Sequence, residues 1–157
     1  MLRDYREDDA EGLAAVFTDS VHALAAPAYA AGQRSAWAPV PPDVRGWRTR
    51  FGVLRTIVAE EGGVLLGFIS YERDGHIDLL YTAPAAARKG VASALLAEAV
   101  ARLSAAGEAT ELFTEASLVA VPFFLRHGFA ITEDQVVVRR GVSFRRCAMR
   151  RRVGEAS

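Results

Sequence analysis

Between Arg55 and Gly107 the sequence permits little except a strand meander that runs into a long helix. Arg55–Glu60 (RTIVAE) and Val64–Arg73 (VLLGFISYER) are rich in residues that suit a pleated surface, with Glu61, Gly62 and Gly63 as the turn between them. Asp74-Gly75 is a hairpin signal, because both residue types tolerate positive φ. His76–Thr82 (HIDLLYT) is then the third strand, and Pro84 ends it. Gly90 opens a helix in which Val91, Leu95, Leu96, Val100 and Leu103 form one apolar stripe, and Gly107 stops it.

The flanks add elements of both kinds. LRDYR at the start reads as a short strand, and Asp8 and Asp9 place negative charge where a helix N-terminus favours it. Leu13, Val16, Phe17 and Val21 follow at the three- and four-residue spacing of an amphipathic helix. From Ala25 to Asp43 the breakers Pro27, Gly32, Pro39, Pro41 and Pro42 predict an irregular, weakly helical cover over one edge. Thr110–Glu115 alternates as a strand, and Val119–His127 reads as a short helix with Pro122 in its first turn and Gly128 at its end. Phe129–Arg152 reads as two strands joined near Arg140-Gly141. The expected class is α+β, in one domain over residues 1–157.

Composition narrows the function. A chain of 157 residues buries roughly 70% of its unfolded surface, enough for a core without staples. Nineteen basic residues balance nineteen acidic ones, which argues against whole-surface binding to nucleic acid or membrane. The lone Cys147 allows no intrachain disulfide and no cysteine-based metal cluster, and no metal is expected. MLRDYREDDAEG lacks the apolar stretch of a signal peptide, and the apolar run from Ala23 to Ala31 is short and broken by Pro27. A cytoplasmic protein, monomer or homodimer, is the expectation.

Arg88-Lys89-Gly90-Val91-Ala92-Ser93 carries the chemistry. A helix N-terminus has unpaired N–H groups and partial positive charge, a small residue lets a phosphate reach the backbone, and two cations stand beside it. A basic loop before an ordinary helix fits the spacing equally well. The segment matches neither the dinucleotide nor the nucleotide-triphosphate glycine pattern.

With the strand and Pro84 before it, this segment resembles the pyrophosphate loop [Q/R]-x-x-G-x-[G/A] of the GNAT superfamily of acetyl-CoA-dependent N-acyltransferases, in its small bacterial form. Ala87-Arg88-Lys89-Gly90-Val91-Ala92 aligns with it, Ala87 replacing the family's Gln or Arg. LRDYREDDAEGL, GFISYE, HIDLLYTAP, RKGVASALL and PFFLRHGF extend the resemblance over nearly the whole chain. It implies a GNAT fold: a mixed, mostly antiparallel sheet of six to seven strands, helices on both sides, and acetyl-CoA between splayed central strands. It also implies that the backbone at Leu80, Tyr81 and Thr82 pairs with the pantetheine arm and polarises the thioester, and that amides from Arg88 to Ser93 hold the pyrophosphate. Ser117 falls where the family often has Asn beside the pantetheine. Phe124 takes the place of the family's proton-donating Tyr and cannot donate, which leaves water or Tyr81 for that task.

The family's general base is often a Glu on the strand before the loop, and His76 aligns with it. Alternation puts Asp78 on the same face, where a carboxylate would raise the pKa of the imidazole and orient it. Without the alignment, His76 reads equally as a solvated residue at a strand start. Glu72 is a second pocket candidate, and Trp37, with Trp47, is a candidate for contact with the acceptor if the pocket is aromatic. His22, His127 and Cys147 read as structural. The tail arginines Arg139, Arg140, Arg145, Arg146, Arg150, Arg151 and Arg152 read either as a solvated edge strand or as a local anion site for an acidic acceptor or the CoA 3′-phosphate. The implied activity is acetyl transfer to a primary amine of a small molecule, peptide or protein by direct attack in a ternary complex. A non-catalytic CoA- or acyl-CoA-binding module that has lost the Tyr, and a nucleic-acid domain using the arginine tail, are the alternatives from other classes.

Overall fold

The computed structural model describes residues 1–154. Twelve regular elements follow one another: β1 (Leu2–Asp4), α1 (Ala10–Leu24), α2 (Ala31–Trp37), α3 (Val44–Val53), β2 (Arg55–Glu61), β3 (Val64–Tyr71), β4 (His76–Thr82), α4 (Val91–Ala106), β5 (Glu111–Ser117), α5 (Val121–Arg126), β6 (Ala130–Arg139) and β7 (Val142–Arg152). The strands form one sheet in the order β1-β2-β3-β4-β5-β7-β6. Every neighbouring pair is antiparallel except β4–β5, which is parallel.

Alternation along the central strands supplies two cores. Ile57 and Ile69 face Leu95, Leu96 and Leu103 of α4, together with Leu112, Phe124 and Met149. Val58 and Phe68 face the other way, onto Leu13, Phe17 and Val21 of α1 and Phe51 of α3. The helices therefore lie on both sides of the sheet, as the two apolar faces of the strands require. Among the described residues no helix is long and apolar enough to cross a membrane.

One helix went unread in the sequence, and one reading needs correction. The stretch before Arg55 contains a ten-residue helix, α3, started by Asp43, whose carboxylate accepts the Gly46 N–H at 3.1 Å. Gly46 and Gly52 hide it from a propensity reading, and Phe51 is its one buried residue. The arginine tail is not an edge strand: β7 lies between β5 and β6, so β6 is the edge and only Arg139 of the seven belongs to it. Arg150 pairs with Glu111 of β5, and Arg151 donates to the carbonyls of His127 and Val153.

Candidate active site

The site begins where the sheet comes apart. β4 and β5 pair at His76↔Phe113 and Ile77↔Thr114, and the ladder ends there. The Thr114 hydroxyl donates to the Ile77 carbonyl at 2.9 Å and closes the seam. Beyond it β4 continues as far as Thr82 with β3 alone as its partner, so its other backbone edge faces the gap. A cavity of about 490 Å³ opens there, lined by Leu79 to Tyr81, by Thr114 to Ser117 and by Phe124.

At the far end of β4 the chain turns into α4. Gly90 caps the helix in the left-handed conformation at φ 83°, and its lack of a side chain leaves the first-turn amides of Val91, Ala92 and Ser93 without a side-chain cap. Arg88, also at positive φ, and Lys89 stand exposed beside them. This is a cradle that a phosphate fits, by backbone and charge alike. Ser93 is also bound to the residue that follows α5, its hydroxyl lying 3.0 Å from His127 Nε2. Burial, with Arg126 and Arg151 nearby, holds the His127 imidazole below its ordinary pKa.

On the α1–α3 side the cavity wall is aromatic. Phe17 packs on Trp47 at 4.6 Å and on Tyr81 at 4.8 Å, and Trp37 lies 6.4 Å from Tyr81 and 5.4 Å from Tyr29. Trp37 and Trp47 both line the cavity. Burial pushes the Tyr81 hydroxyl well above its ordinary pKa, against the opposing pull of Arg50 and Trp37. The Tyr29 hydroxyl donates to the Arg145 carbonyl at 2.6 Å and accepts the Leu118 N–H at 2.9 Å, tying this wall to both strands beyond the gap.

The titratable groups are distributed otherwise than alternation suggested. Asp78 lines the cavity, but its carboxylate accepts from Arg50 of α3 at 2.9 and 3.2 Å and makes no hydrogen bond to His76. His76 sits between two other carboxylates, with Nδ1 2.8 Å from Glu72 and Nε2 2.8 Å from Glu115, and stacks on Phe113. Desolvation lowers its pKa, and the hydrogen bonds to Glu72 and Glu115 outweigh that and raise it. Of this chain Glu115 faces the cavity, while the Glu72 side chain, 49% exposed, reaches solvent. The result is a hydrogen-bonded file running from cavity to surface through a half-buried ring.

Glu115, Arg50 and Tyr29 are cavity residues that the sequence reading did not single out. The alternation of TELFTE puts Glu111, Phe113 and Glu115 on one face, but only the parallel β4–β5 pairing brings that face to His76. His22 is structural, with Nε2 2.8 Å from the Ala38 carbonyl, and Cys147 is buried in β7. Among the described residues no three His, Cys, Asp or Glu side chains are grouped to hold a metal ion.

Comparison with known proteins agrees with this architecture. Residues 25–151 match the family model described as "Acetyltransferase (GNAT) domain". The chain is 36% identical over 149 residues to the "Uncharacterized N-acetyltransferase YafP" of Escherichia coli K12, covering 95% of this chain and 93% of that one. A GCN5-related N-acetyltransferase crystal structure from Rhodopseudomonas palustris superposes with a TM-score of 0.91 at 31% identity, covering 97% and 94% of the two chains. A phosphinothricin acetyltransferase from Sinorhizobium meliloti, solved in complex with AcCoA, shares the fold at a TM-score of 0.74 and 21% identity, covering 100% and 90%.

Proposed function

Because this chain belongs to the GNAT acetyltransferase family, we propose that it is an acetyl-CoA-dependent N-acetyltransferase that acetylates a primary amine held in the aromatic cavity, by direct attack in a ternary complex. The observation that carries this reading is the divergence of β4 from β5 after two residue pairs, beside a helix N-terminus built for phosphate. We place the activity in one unit over residues 1–157. Small-molecule and peptide amines both remain within its reach.

Bound acetyl-CoA supplies an electrophilic thioester carbonyl. Arg88, Lys89 and the amides from Arg88 to Ser93 would hold its phosphates, the backbone of Leu80, Tyr81 and Thr82 would hold the pantetheine arm, and Ser117 and Phe124 would border that path. Amide N–H groups on β4 would polarise that carbonyl at no reorganisation cost. An ammonium must lose a proton before its nitrogen can attack, and as the new C–N bond replaces the C–S bond the departing thiolate takes up a proton from solvent. Glu115, the carboxylate that faces the cavity and touches His76, accepts that proton. His76 works behind Glu115 and passes the proton through Nδ1 to Glu72 and solvent. Asp78, held by Arg50, attracts the incoming cation.

Thermal unfolding with and without acetyl-CoA, with ATP and NAD as controls, tests the cofactor. At 100 times its Kd a ligand stabilises the fold by about 2.7 kcal/mol. Thiol release on adding amines tests turnover, and Glu115→Gln should cost roughly 10²–10⁴-fold in kcat/KM while leaving the acetyl-CoA shift in place. Absence of any shift at millimolar acetyl-CoA overturns the cofactor assignment. A loss below about threefold in Glu115→Gln overturns the proton acceptor, set against that same range.

A further inference from the structure

The cavity carries more positive charge than a site for a plain amine calls for. Its lining includes Arg50, Arg139, Arg140, Arg145 and Arg146 against only Asp43, Asp78 and Glu115. An ammonium entering alone would be repelled by most of these groups. Some of the cations have structural work: Arg50 bonds Asp78, Arg140 donates to the Ala36 carbonyl at 2.7 Å, and Arg146 Nε donates to Gln135 at 2.8 Å. Arg139 is placed differently. It ends β6 opposite Val142, two residues after Val137, and period-two alternation puts Arg139 and Val137 on the same face, both lining the cavity.

Arg50 and Arg139 line the cavity together with Tyr81 and Trp37, whose rings lie 6.4 Å apart edge to face. The bond from Arg140 to Ala36 fastens the β6–β7 turn to α2, which carries Trp37. Two guanidinium groups, a phenol and an indole therefore share the lining of one cavity, with Asp78 as an acceptor among them. Such a set binds an oxyanion at one end and a cation at the other. The surrounding rings of Phe17, Trp47 and Phe144 suit an apolar or aromatic body.

We propose that the acceptor is a small amine that also carries an oxyanion, a carboxylate or phosphonate a few bonds from the nitrogen, with the amine toward Asp78 and Glu115 and the oxyanion toward Arg139. A free amino acid with an aromatic or large apolar side chain has this chemistry. A peptide N-terminus or a neutral aromatic amine lacks the adjacent charge. The assignment rests on the transferase reading above and names the substrate class of the same site.

Matched compounds test it: L-phenylalanine, its phosphonate analogue, L-phenylalaninamide and phenethylamine, and the tryptophan series alongside. Thiol release from acetyl-CoA is measured and kcat/KM is expressed per free amine, so that differences in amine pKa cancel. The acid members should exceed the neutral ones by about 10- to 100-fold, the worth of a charge-assisted hydrogen bond. Arg139→Gln should collapse that ratio and Arg139→Lys should restore part of it. Carboxylate and phosphonate arms report which oxyanion the site prefers, and the amide arm stands for a peptide N-terminus. Neutral members that equal or exceed the acids, or a ratio that survives Arg139→Gln, overturn the proposal. If no member reacts while acetyl-CoA still raises the unfolding temperature, the proposal fails and the cofactor assignment stands. If acetyl-CoA neither stabilises the protein nor releases thiol with any amine, both fail.

Discussion

Gly67 lies on β3 directly opposite Thr82, the last residue of the strand that borders the gap. A Cβ at this position would meet the Tyr81 carbonyl oxygen at 2.8 Å, Val91 Cγ1 at 3.2 Å and Thr82 Cα at 3.3 Å. The valine can rotate, but the other two atoms are backbone, and β3 is fixed on its opposite side by β2. Gly67→Ala must therefore push β4 outward. Overpacking of this kind costs about 1–3 kcal/mol, and each kcal/mol moves Tm by about 2–4 °C in a chain of this size. The Tm should fall by roughly 2–12 °C on those two ranges. Because Tyr81, Thr82 and Val91 belong to the assigned cofactor path, the KM for acetyl-CoA should rise more than kcat falls. Gly52→Ala in α3 is the control: nothing lies within 4 Å of its Cβ, and alanine in a helix should gain about 0.5–1 kcal/mol. Calorimetric melts with and without acetyl-CoA, with steady-state kinetics on both variants, carry the comparison. A Gly67→Ala protein that melts with or above its parent would refute the close approach of β3 to β4.

Three further outcomes follow from the geometry. Neutralising Arg88 and Lys89 together should raise the KM for acetyl-CoA about tenfold or more and weaken its dependence on salt, since exposed cations act on phosphate through screened charge; salt titration of KM reads both. Tyr29→Phe strands the Leu118 N–H and the Arg145 carbonyl, at a cost of about 1–3 kcal/mol, visible as a lower denaturation midpoint in urea. His76 has a raised pKa in the folded state, so its contribution to stability is complete below its unfolded value of about 6.5 and fades as pH rises through the folded value. The Tm gap between parent and His76→Gln should accordingly be widest at acidic pH and narrow toward alkaline pH, and a gap that widens with pH contradicts the two-carboxylate setting.

What could be read from the sequence was local. The meander from Arg55 to Thr82 and the turn at Arg140-Gly141, both residues at positive φ, were legible because the turn residues and the alternation agree. The ends of α4 were legible for the same reason, with Gly90 and Gly107 both left-handed. What could not be read was pairing at a distance. Alternation offered Asp78 as the partner of His76, but the partners came from the turn before β4 and from β5, 39 residues further on. The arginine tail resembled an edge because its charges look solvated, and nothing in its own text reports that β7 is inserted between β5 and β6. The cavity wall around Trp37 and Trp47 came from α2 and α3, where glycine and proline mask the helical signal.

The short seam between β4 and β5 also has a mechanical consequence. Four strands on one side and three on the other behave as two stiff plates joined along a two-residue weld. Hydrogen bonds set the stiffness of each plate, but the angle between them is set by helix packing on the two faces, a softer spring. The width of the gap is thus governed by residues such as Leu13 and Leu96, buried in the two cores and outside the cavity lining, and a core substitution there retunes the mouth of the cavity without touching its lining chemistry.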